Sequence, residues 1–534
     1  MLSLLLQLFT LYLSTTYPHF LRLNEKESVP PDHYLRKVKA CIDFEQFRPR
    51  LLASYHPDLG RPAVDQVLML KILFVCFHYH LSDRAVMART TTDMAFRWFL
   101  GLGLKSALPD HTNGTHFRQR LGGDQTLQQI FQDLVGQARA HGLVNDRLRL
   151  KDATHILADV ADLRPIALVA QVREDLWQAA KPLFPDTVSE QQIRYEALQQ
   201  SSAELPDDER LALRVNFLRE AVSILEAQLA ARPATPDNGK ARQRLHSALE
   251  IANKVLYDRD HPKEGDRLVS TKDSDARWGM HGTYYVGFMA DTAMDPVSEI
   301  ITAINVLPAN GAEGEDALNL IRQEEEAQGN HVQGLSMDGA GYNGPLLREL
   351  TDPQGLNLDV TVPPPAPRTR TMFAPDRFPL TVLADGTPVL TCPAGQTSGP
   401  GQDNPKKHTM LYRFKAKQCA HCPLREQCLE HPEREKSRRT VQKNVYQAEY
   451  DKVAEKAKTP EYQATRRVHP KIERKLNELV RHHHCRRARY RGLAKVLVQV
   501  ICTALVVNVK RIVKLMACPN VPGALMVRAE PVGC

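Results

Sequence analysis

The chain has 534 residues and is too long for one compact core, so two to four domains are expected. Its 43% hydrophobic and 25% charged residues are ordinary for a soluble globular protein. Ten cysteines in a chain of this length exclude a disulfide scaffold, and the formal net charge of +8 permits a polyanionic partner without requiring one.

Two apolar stretches bear on whether the chain meets a membrane. The stretch from Leu2 to Leu13 lacks a basic leader and a small-residue cleavage site, and it is shorter than the roughly 20 residues that span a bilayer. We interpret it as an N-terminal extension or a mis-set start, with a signal or anchor as the alternative. The stretch from Val496 to Val507 is interrupted by Gln499 and Thr503, which predicts a buried helix of a soluble domain. No membrane partner is expected.

The region from about Pro30 to Gly142 has a helical pattern. Val64 to His80 is a densely apolar core helix, and Ser82 and Asp93 are expected N-caps of the next two helices, the second of which stops near Gly101. A short basic helix from His111 to Leu121 follows and carries Arg118 and Arg120. These elements predict a helix-turn-helix-like DNA-binding unit, with an ordinary small helical bundle as the alternative.

The stretch from Leu148 to Val160 is predicted to be a strand, whose side chains alternate between two faces. Asp152 falls on the apolar face, between Leu150 and Ile156. An ionised carboxylate there is costly unless it is paired, hydrogen-bonded or bound to a cation. Asp152 is therefore a candidate ligand of a catalytic metal, and an aspartate at a strand bend that water satisfies is the alternative.

Residues from about Leu168 to Asp260 are strongly helical. Apolar residues spaced by four and three form a heptad seam, namely Leu211, Val215, Leu218, Val222, Leu225 and Leu229. After Pro233 and Pro236, a second apolar stripe follows. The pattern predicts an antiparallel helical hairpin inserted into the catalytic domain, and a dimerising coiled coil is the rival interpretation.

The next elements complete a sheet. Thr283–Ala290 and Ser298–Val306 form a predicted hairpin, and Ala312–Gln328 is a predicted helix. His331–Met337 is a predicted strand that ends on Asp338. A helix from Pro345 to Leu350 and a strand from Leu358 to Val362 complete the order. This order predicts an α/β fold with a mixed sheet flanked by helices, as in ribonuclease-H-like folds.

Four cysteines lie in one compact segment: Cys392, Cys419, Cys422 and Cys428. The Cys-x-x-Cys pair can supply two thiolates to one Zn²⁺, and the other two can complete a tetrahedron. His421 and His431 are spare candidates. The alternative is reduced cysteines packed in a small subdomain.

The last part of the chain is basic and helical. Lys471 to Arg481 has an apolar stripe with Glu473 at its edge, so this glutamate can point toward a neighbouring sheet. Five cations follow, with Tyr490 among them, and they are candidates for DNA phosphate contacts: Arg486, Arg487, Arg489, Arg491 and Lys495. A solvated basic face is the alternative. The adjacent histidines His482 to His484 point in different directions and do not make a metal site.

Asp152, Asp338 and Glu473 together suit phosphodiester chemistry. Carboxylate oxygens hold Mg²⁺, and two ions roughly 3.5–4 Å apart can activate the attacking oxygen and stabilise the leaving one. Asp291 and Asp159 are ranked lower because each fits a turn or a solvent-exposed position.

Distinctive motifs run in order from about residue 60 to residue 512: GRPAVDQVLMLKILF, LSDRAV, FRWFLGL, LPDHTNGTHFRQRLG, KDATHILAD, DARWGMHGTYYVGFMADT, MDGAGYNG, TCPAG with CAHCPLREQC, and IERKLNELVRHHHCRRARYRGLAKV. In these motifs the chain resembles DDE-type transposases of bacterial insertion sequences. The resemblance implies a ribonuclease-H-like core with Mg²⁺ or Mn²⁺, and its catalytic triad falls on Asp152, Asp338 and Glu473. The chain departs from the family at Gly114, where relatives have a better helix former, and at Val480, where they often carry Lys or Arg.

The expected function is that of a DNA transposase, which cleaves the ends of an insertion sequence and joins them to target DNA. The alternatives are a ribonuclease-H-like nuclease without strand transfer and a non-catalytic, decayed DNA-binding derivative. The expected partners are double-stranded DNA and further copies of the chain on that DNA, in the cytoplasm at the nucleoid. The expected domains are an extension (1–29), a helical DNA-binding domain (30–145), a catalytic core (146–165 and 280–385), a helical hairpin insertion (166–279), a Cys-rich knuckle (386–435), a basic helical segment that completes the core (436–515) and a tail (516–534).

Overall fold

The computed structural model of the chain describes residues 29–55, 64–103, 105–123, 125–365 and 372–517. The apolar stretch from Leu2 to Leu13 lies outside these residues. Contacts divide the chain into two compact units. The first unit comprises Met1–Asn145, Asp152–Asn330 and Lys471–Cys534, and the second comprises Asp146–Lys151 and His331–Pro470.

The chain is a mixed α/β protein with a helical N-terminal region. Its α-helices are α1 (Tyr34–Cys41), α2 (Arg48–Ala53), α3 (Gln66–His78), α4 (Asp83–Thr92), α5 (Met94–Leu100), α6 (Thr112–Gly123), α7 (Thr126–Ala140), α8 (Pro165–Ala180), α9 (Pro185–Ser201), α10 (Asp207–Ala231), α11 (Gly239–Asp260), α12 (Glu313–Gln328), α13 (Gly344–Leu350), α14 (Ala416–Ala420), α15 (Arg425–Cys428), α16 (Gln447–Lys456), α17 (Pro460–Val468), α18 (Pro470–Asn477) and α19 (Leu493–Ala517). Its strands are β1 (Arg149–Leu157), β2 (Arg277–His281), β3 (Thr283–Met294), β4 (Ile301–Pro308), β5 (Gly334–Ser336), β6 (Asp359–Thr361), β7 (Leu380–Val382), β8 (Pro388–Leu390), β9 (Gln402–Asn404), β10 (Thr409–Arg413) and β11 (Thr440–Asn444).

The N-terminal helices begin and end where local capping chemistry predicts. The hydroxyl of Ser82 accepts a hydrogen bond from the backbone of Ala85, and the carboxylate of Asp93 accepts from the first turn of α5. That helix ends at Gly101, whose φ of 74° is the left-handed conformation that glycine tolerates best. Both predicted N-caps and the predicted stop are confirmed.

Helix α19 is the centre of the core in the first unit. It contains the predicted stretch from Val496 to Val507 and contacts four N-terminal helices, α1, α3, α6 and α7, together with β4. Among the described residues, it is the one helix long and apolar enough to cross a membrane, but 78% of its apolar window is buried inside the protein. This burial is what a core helix shows, and the prediction of a buried helix is confirmed.

In the first unit, β1 lies beside β3, which pairs antiparallel with β2 on one part of its length and with β4 on the other. The predicted hairpin is confirmed as β3 and β4, and β3 is longer than predicted because it runs on to Met294. Strand β2 was not predicted from the sequence. It places Trp278, Met280 and Tyr284 on one face of a two-stranded ribbon.

The insertion between β1 and β2 contains four helices, α8 to α11, rather than the predicted hairpin alone. They share an apolar core of their own. The heptad seam of α10 is buried in that core, where α10 packs against α8 and α11 of the same chain. The chain itself therefore covers the seam, which explains the repeat without a coiled coil between two copies.

In the second unit, Arg149 and Leu150 of β1 pair parallel with Leu335 and Ser336 of β5, and β5 pairs parallel with β6. The predicted strand from His331 to Met337 is confirmed in a shorter form. Beyond it, β9, β10 and β11 form a small antiparallel sheet, and β7 pairs with β8.

Three polar residues of the sheet differ from what alternation suggests. Arg149 and Lys151, on the supposedly polar face of β1, are almost completely buried, at 0% and 2% exposure. Asp291 lies within β3 and is fully buried. The expectation of a turn or solvent role for Asp291 is therefore wrong. Both faces of a central strand are covered, so the alternation of polar residues does not report exposure there.

Candidate active site

Asp152 lies in the middle of β1 and is half-buried. Its carboxylate accepts a hydrogen bond from the backbone N–H of Ala153 at 2.8 Å, and its carbonyl accepts one from the hydroxyl of Thr292 on β3 at 3.1 Å. The neighbouring strand thus fixes the backbone of this residue. A carboxylate on a central strand is a rigid donor for a cation.

Glu313, in the first turn of α12, lies close to Asp152 within the first unit. The two side chains offer carboxylate oxygens within 4.8 Å of each other, a separation that suits a shared metal ion. Two like charges at this separation repel by about 3 kcal/mol at an effective dielectric constant of 20, and a divalent cation between them would reverse that repulsion. Sequence reasoning missed Glu313. The available signal was the acidic first turn that follows the hairpin.

Asp338, in the second unit, follows β5 and accepts a hydrogen bond from the backbone of Ala340 at 3.0 Å. Just before it, the hydroxyl of Ser336 lies 3.0 Å from Nδ1 of His469, which is buried. Burial lowers the pKa of His469 to about 4; Arg466 adds to this effect and Asp338 opposes it. His469 is thus neutral near pH 7 and holds the end of β5 without adding a charge.

Glu473 is exposed in the first turn of α18. Ile472 and Leu476 of the same helix are buried, so the predicted apolar stripe is confirmed. Among the described residues of the first unit, Asp152 and Glu313 have carboxylate oxygens close enough to share a metal ion, and Glu473 is not grouped with them. The catalytic role of Glu473 therefore stays a prediction.

The basic segment from Arg486 to Lys495 runs along the end of β1. The backbone N–H of Leu157 donates to Arg486 at 2.8 Å, and that of Ala488 donates back to Leu157 at 2.8 Å. The guanidinium of Arg486 donates to the carbonyl of His155 and is half-buried, and burial lowers its pKa. The sequence places these cations far from β1, but the fold brings them next to the strand that carries Asp152.

The other cations of this segment are exposed. Arg491 pairs with Asp159 at 3.1 Å, and Arg489 lies over the ring of Phe77, 5.0 Å from its centroid. Arg487 and Lys495 are also exposed. Arg487, Arg489 and Lys495 keep polar atoms in solvent, which suits contacts with phosphates. Their contact with DNA stays a prediction.

Arg118 has a partner within the protein. Its guanidinium makes two hydrogen bonds to the carboxylate of Asp83, at 2.7 and 2.6 Å, and also lies over the ring of Tyr490. Burial alone lowers the pKa of Arg118, but the hydrogen bonds to Asp83 outweigh it and raise that pKa. Arg120 is exposed and lies over the ring of Tyr55. DNA contact by either arginine stays a prediction.

The four predicted cysteine ligands surround one small cavity of about 20 Å³ in the second unit: Cys392, Cys419, Cys422 and Cys428. None of them forms a disulfide. Burial raises the pKa of the Cys428 thiol; Arg439 opposes this rise and the other three cysteines add to it. The fold therefore brings thiols that are up to 36 positions apart in the chain to one cavity, although among the described residues no three of them lie within the 4.8 Å spread of a metal-binding group.

Two segments of the chain match families of known proteins. Residues 23–120 match a family described as "Transposase domain (DUF772)", and residues 391–513 match one described as "Transposase DDE domain". No curated protein and no solved structure matches the chain. The first match covers α1 to α5 and most of α6. The second covers the cysteines, Glu473 and the basic segment.

These matches support a transposase of the DDE type, an enzyme class that acts on DNA and typically uses divalent metal ions. They therefore imply DNA as a partner. Asp152 and Asp338 lie outside both matched segments, so their assignment rests on the geometry of the sheet and on the motifs around them.

Proposed function

We propose that the chain is a metal-dependent DNA transposase, which cleaves DNA at the ends of an insertion sequence and joins the freed ends to target DNA. The main support is the pair of carboxylates of Asp152 and Glu313, whose separation suits a shared metal ion. The two transposase-family matches of the chain agree with this assignment. Carboxylate oxygens are the ligands that Mg²⁺ and Mn²⁺ prefer.

Asp338 is proposed to join this acidic group as a further ligand. Support comes from the register of the second unit, in which Leu150 pairs with Ser336 in parallel strands. Asp152 follows Leu150 by two positions in the sequence, and Asp338 follows Ser336, the last residue of β5, by two positions. Neighbouring strands are about 4.8 Å apart, close enough for two carboxylates to bind one ion.

The ribonuclease-H-like core is part of the same proposal. The element order is strand, hairpin, helix, strand, helix and strand, as in that fold, with one extra strand, β2, and the helical insertion. The strand order β4–β3–β1 in the first unit and β1–β5–β6 in the second supports it. In such a sheet the central strand carries the first carboxylate, which is the position of Asp152.

Two glutamates compete for the last ligand position. The family resemblance favours Glu473, and proximity to Asp152 favours Glu313. A bound pair of divalent ions would activate the attacking oxygen and stabilise the leaving one. In the cleavage step the oxygen of water bonds to phosphorus, the bond from phosphorus to the 3′-oxygen breaks, and the 3′-oxygen leaves as a hydroxyl. In the joining step that 3′-hydroxyl loses its proton and bonds to a phosphorus of the target, whose own bond to a 3′-oxygen breaks, and this oxygen leaves with a proton. Arg487, Arg489 and Lys495 would hold backbone phosphates beside β1.

The test uses DNA carrying the inverted repeats that flank the gene, the full-length chain and Mg²⁺. We expect Asp152→Asn and Asp338→Asn to lower the cleavage rate about 10²–10⁴-fold while DNA affinity is retained. Comparison of Glu473→Gln with Glu313→Gln identifies the last ligand. Glu315→Gln, an exposed residue in the same turn as Glu313, is the matched control.

Each outcome of this assay selects one function. Cleavage by Asp152→Asn at the rate of the unaltered chain refutes the assignment. Cleavage without joined products indicates a nuclease, and DNA binding that ignores both Mg²⁺ and the substitutions indicates a non-catalytic derivative. Further copies of the chain on DNA, and a location at the nucleoid, are proposed with this function.

We also propose that Cys392, Cys419, Cys422 and Cys428 bind a structural Zn²⁺. The common cavity supports this, because four thiolates within one small subdomain suit tetrahedral coordination. Purified protein should contain about one zinc per chain by elemental analysis, and Cys419→Ser should lose most of it. Cys41→Ser, which changes a half-buried thiol in α1, is the control. An unchanged zinc content in Cys419→Ser would contradict the proposal.

A further inference from the structure

A cleft of about 730 Å³ lies in the first unit between the start of the helical insertion and the β2–β3 ribbon. Its floor is apolar and buried and is formed by Leu168, Leu268 and Val269. Its volume lies in the range of sites that hold small organic molecules or single nucleotides. The cleft is separate from the acidic pair, and the catalytic proposal does not use it.

Three arginines and one aspartate line the cleft, so its charge is positive: Arg164, Arg259, Arg267 and Asp162. Within the described part of the chain, none of the three arginines forms an ion pair with a carboxylate. The Nε of Arg259 is buried and has no hydrogen-bond partner among the described residues. Burial lowers the pKa of Arg259, and the neighbouring Arg267 lowers it further. Like charges held this close are stabilised when an anion lies between them.

The rim of the cleft carries aromatic side chains that the protein leaves exposed. Trp278 is 40% exposed and Tyr284 is 76% exposed. They lie on the same face of the β2–β3 ribbon, together with Met280, which is 71% exposed. Large apolar groups at this exposure mark a binding surface, and flat rings suit stacking on bases.

We propose that this cleft binds single-stranded DNA. An unpaired base stacks on Trp278 and Tyr284 over the apolar floor, and Arg164, Arg259 and Arg267 hold the adjoining phosphates. Aromatic rings beside arginines are the combination that recognises a single strand, because in a duplex the faces of the bases are covered by their neighbours. This inference deepens the proposed function, since a transposase that opens or frays an element end must hold the unpaired nucleotides.

The test is binding of a labelled single-stranded oligonucleotide to the full-length chain without divalent ions, followed by fluorescence anisotropy. We expect Trp278→Ala to weaken binding about tenfold or more, because base stacking contributes on the order of 1–3 kcal/mol per base. Arg259→Gln and Arg267→Gln should weaken binding and reduce its salt dependence. Arg244→Gln, an exposed arginine on the same helix as Arg259 but outside the cleft, should change neither.

A conservative variant separates recognition from loss of structure. Trp278 is one of three tryptophans and lines the cleft, so its fluorescence should fall when the strand binds. Trp278→Phe keeps a ring for stacking but removes this signal, so it should retain most of the affinity without the quenching. Unchanged single-strand affinity in both Trp278→Ala and the two arginine variants overturns the proposal. If these variants changed the mass of the protein assembly and left the DNA affinity unchanged, the proposal would also be overturned, and the surface would be assigned to a protein partner.

The two proposals fail separately. Asp152→Asn should bind the single strand as the unaltered chain does, because the acidic pair lies outside the cleft. If the chain cleaves DNA while Trp278→Ala binds single strands normally, only the cleft assignment is wrong. If the cleft variants lose binding while Asp152→Asn still cleaves, only the catalytic assignment is wrong.

Discussion

Gly114 lies in the first turn of helix α6, where an alanine would favour the helix by about 1 kcal/mol. The structure gives a reason for glycine. A Cβ at this position would lie 3.0 Å from Oδ1 of Asp83 and 3.2 Å from its Cγ. The carboxylate cannot easily withdraw, since Arg118 holds both of its oxygens and the two side chains are only 25% and 12% exposed. Gly114→Ala therefore displaces part of this ion pair.

The change in the free energy of unfolding caused by Gly114→Ala should differ in sign as well as in size when Asp83 is present and when it is replaced. Two opposite charges about 4 Å apart attract by about 4 kcal/mol at an effective dielectric constant of 20, and desolvation of the ions leaves a net of about 1–2 kcal/mol. Gly114→Ala should therefore leave stability unchanged or lower it by up to about 1 kcal/mol in the unaltered chain. In the Asp83→Ala background, where the carboxylate is gone, the same substitution should stabilise by about 1 kcal/mol.

Urea unfolding followed by tryptophan fluorescence measures this difference, because Trp98 lies in the neighbouring helix α5. Gly136→Ala in α7 is the matched control. Its Cβ would meet the amide oxygen at the end of the long Gln328 side chain at 3.3 Å, so its effect should be the same in both backgrounds. Equal stabilisation by Gly114→Ala with and without Asp83 would refute the steric argument.

Two further predictions follow from buried groups of the first unit. Burial, aided by Lys510 at 3.3 Å from Nε2, lowers the pKa of His483 from its usual value of 6.5 to about 3, so the fold holds this histidine neutral. The contribution of neutral His483 to stability is complete above pH 6.5 and is lost as the pH falls from there toward 3. The urea midpoint should therefore fall less between pH 7 and pH 5 in His483→Gln than in the unaltered chain. If His483→Gln showed the same fall as His141→Gln, a variant of an exposed histidine, the prediction would be contradicted. Gly287→Ala should prevent stable folding, at a cost of about 3 kcal/mol or more, because its Cβ would lie 1.9 Å from the carbonyl oxygen of Ile156 on β1. Gly239→Ala is the control, because a Cβ at Gly239 meets nothing within 4 Å. If Gly287→Ala were soluble and unfolded at the same midpoint as this control, β1 and β3 would not be held as described.

Much of the local structure could be predicted because its causes are local. Ser82 and Asp93 cap helices through hydrogen bonds to residues two or three positions away, and Gly101 ends a helix through its own backbone freedom. The strand that precedes Asp338 and the stripe on α18 follow from short-range periodicity. These features depend on neighbours within about one helical turn or one strand.

The missed features depend on residues that are distant in the chain. Glu313 lies 161 positions after Asp152, and no sequence period connects them. The burial of Arg149, Lys151 and Asp291 was missed because alternation cannot show that both faces of a strand are covered. Arg118 was assigned to DNA from its charge alone, and its pairing with Asp83 is visible only in three dimensions.

Helix α19 has a consequence for biosynthesis. Four of the first seven helices, α1, α3, α6 and α7, pack on α19, which begins at Leu493. On the ribosome these early helices can pack against one another, but the apolar faces that contact α19 stay uncovered until more than nine-tenths of the 534 residues have been made. A product truncated by a nonsense codon or frameshift before that point exposes their apolar faces and becomes a substrate for chaperones and proteases, so it does not accumulate as a folded DNA-binding fragment.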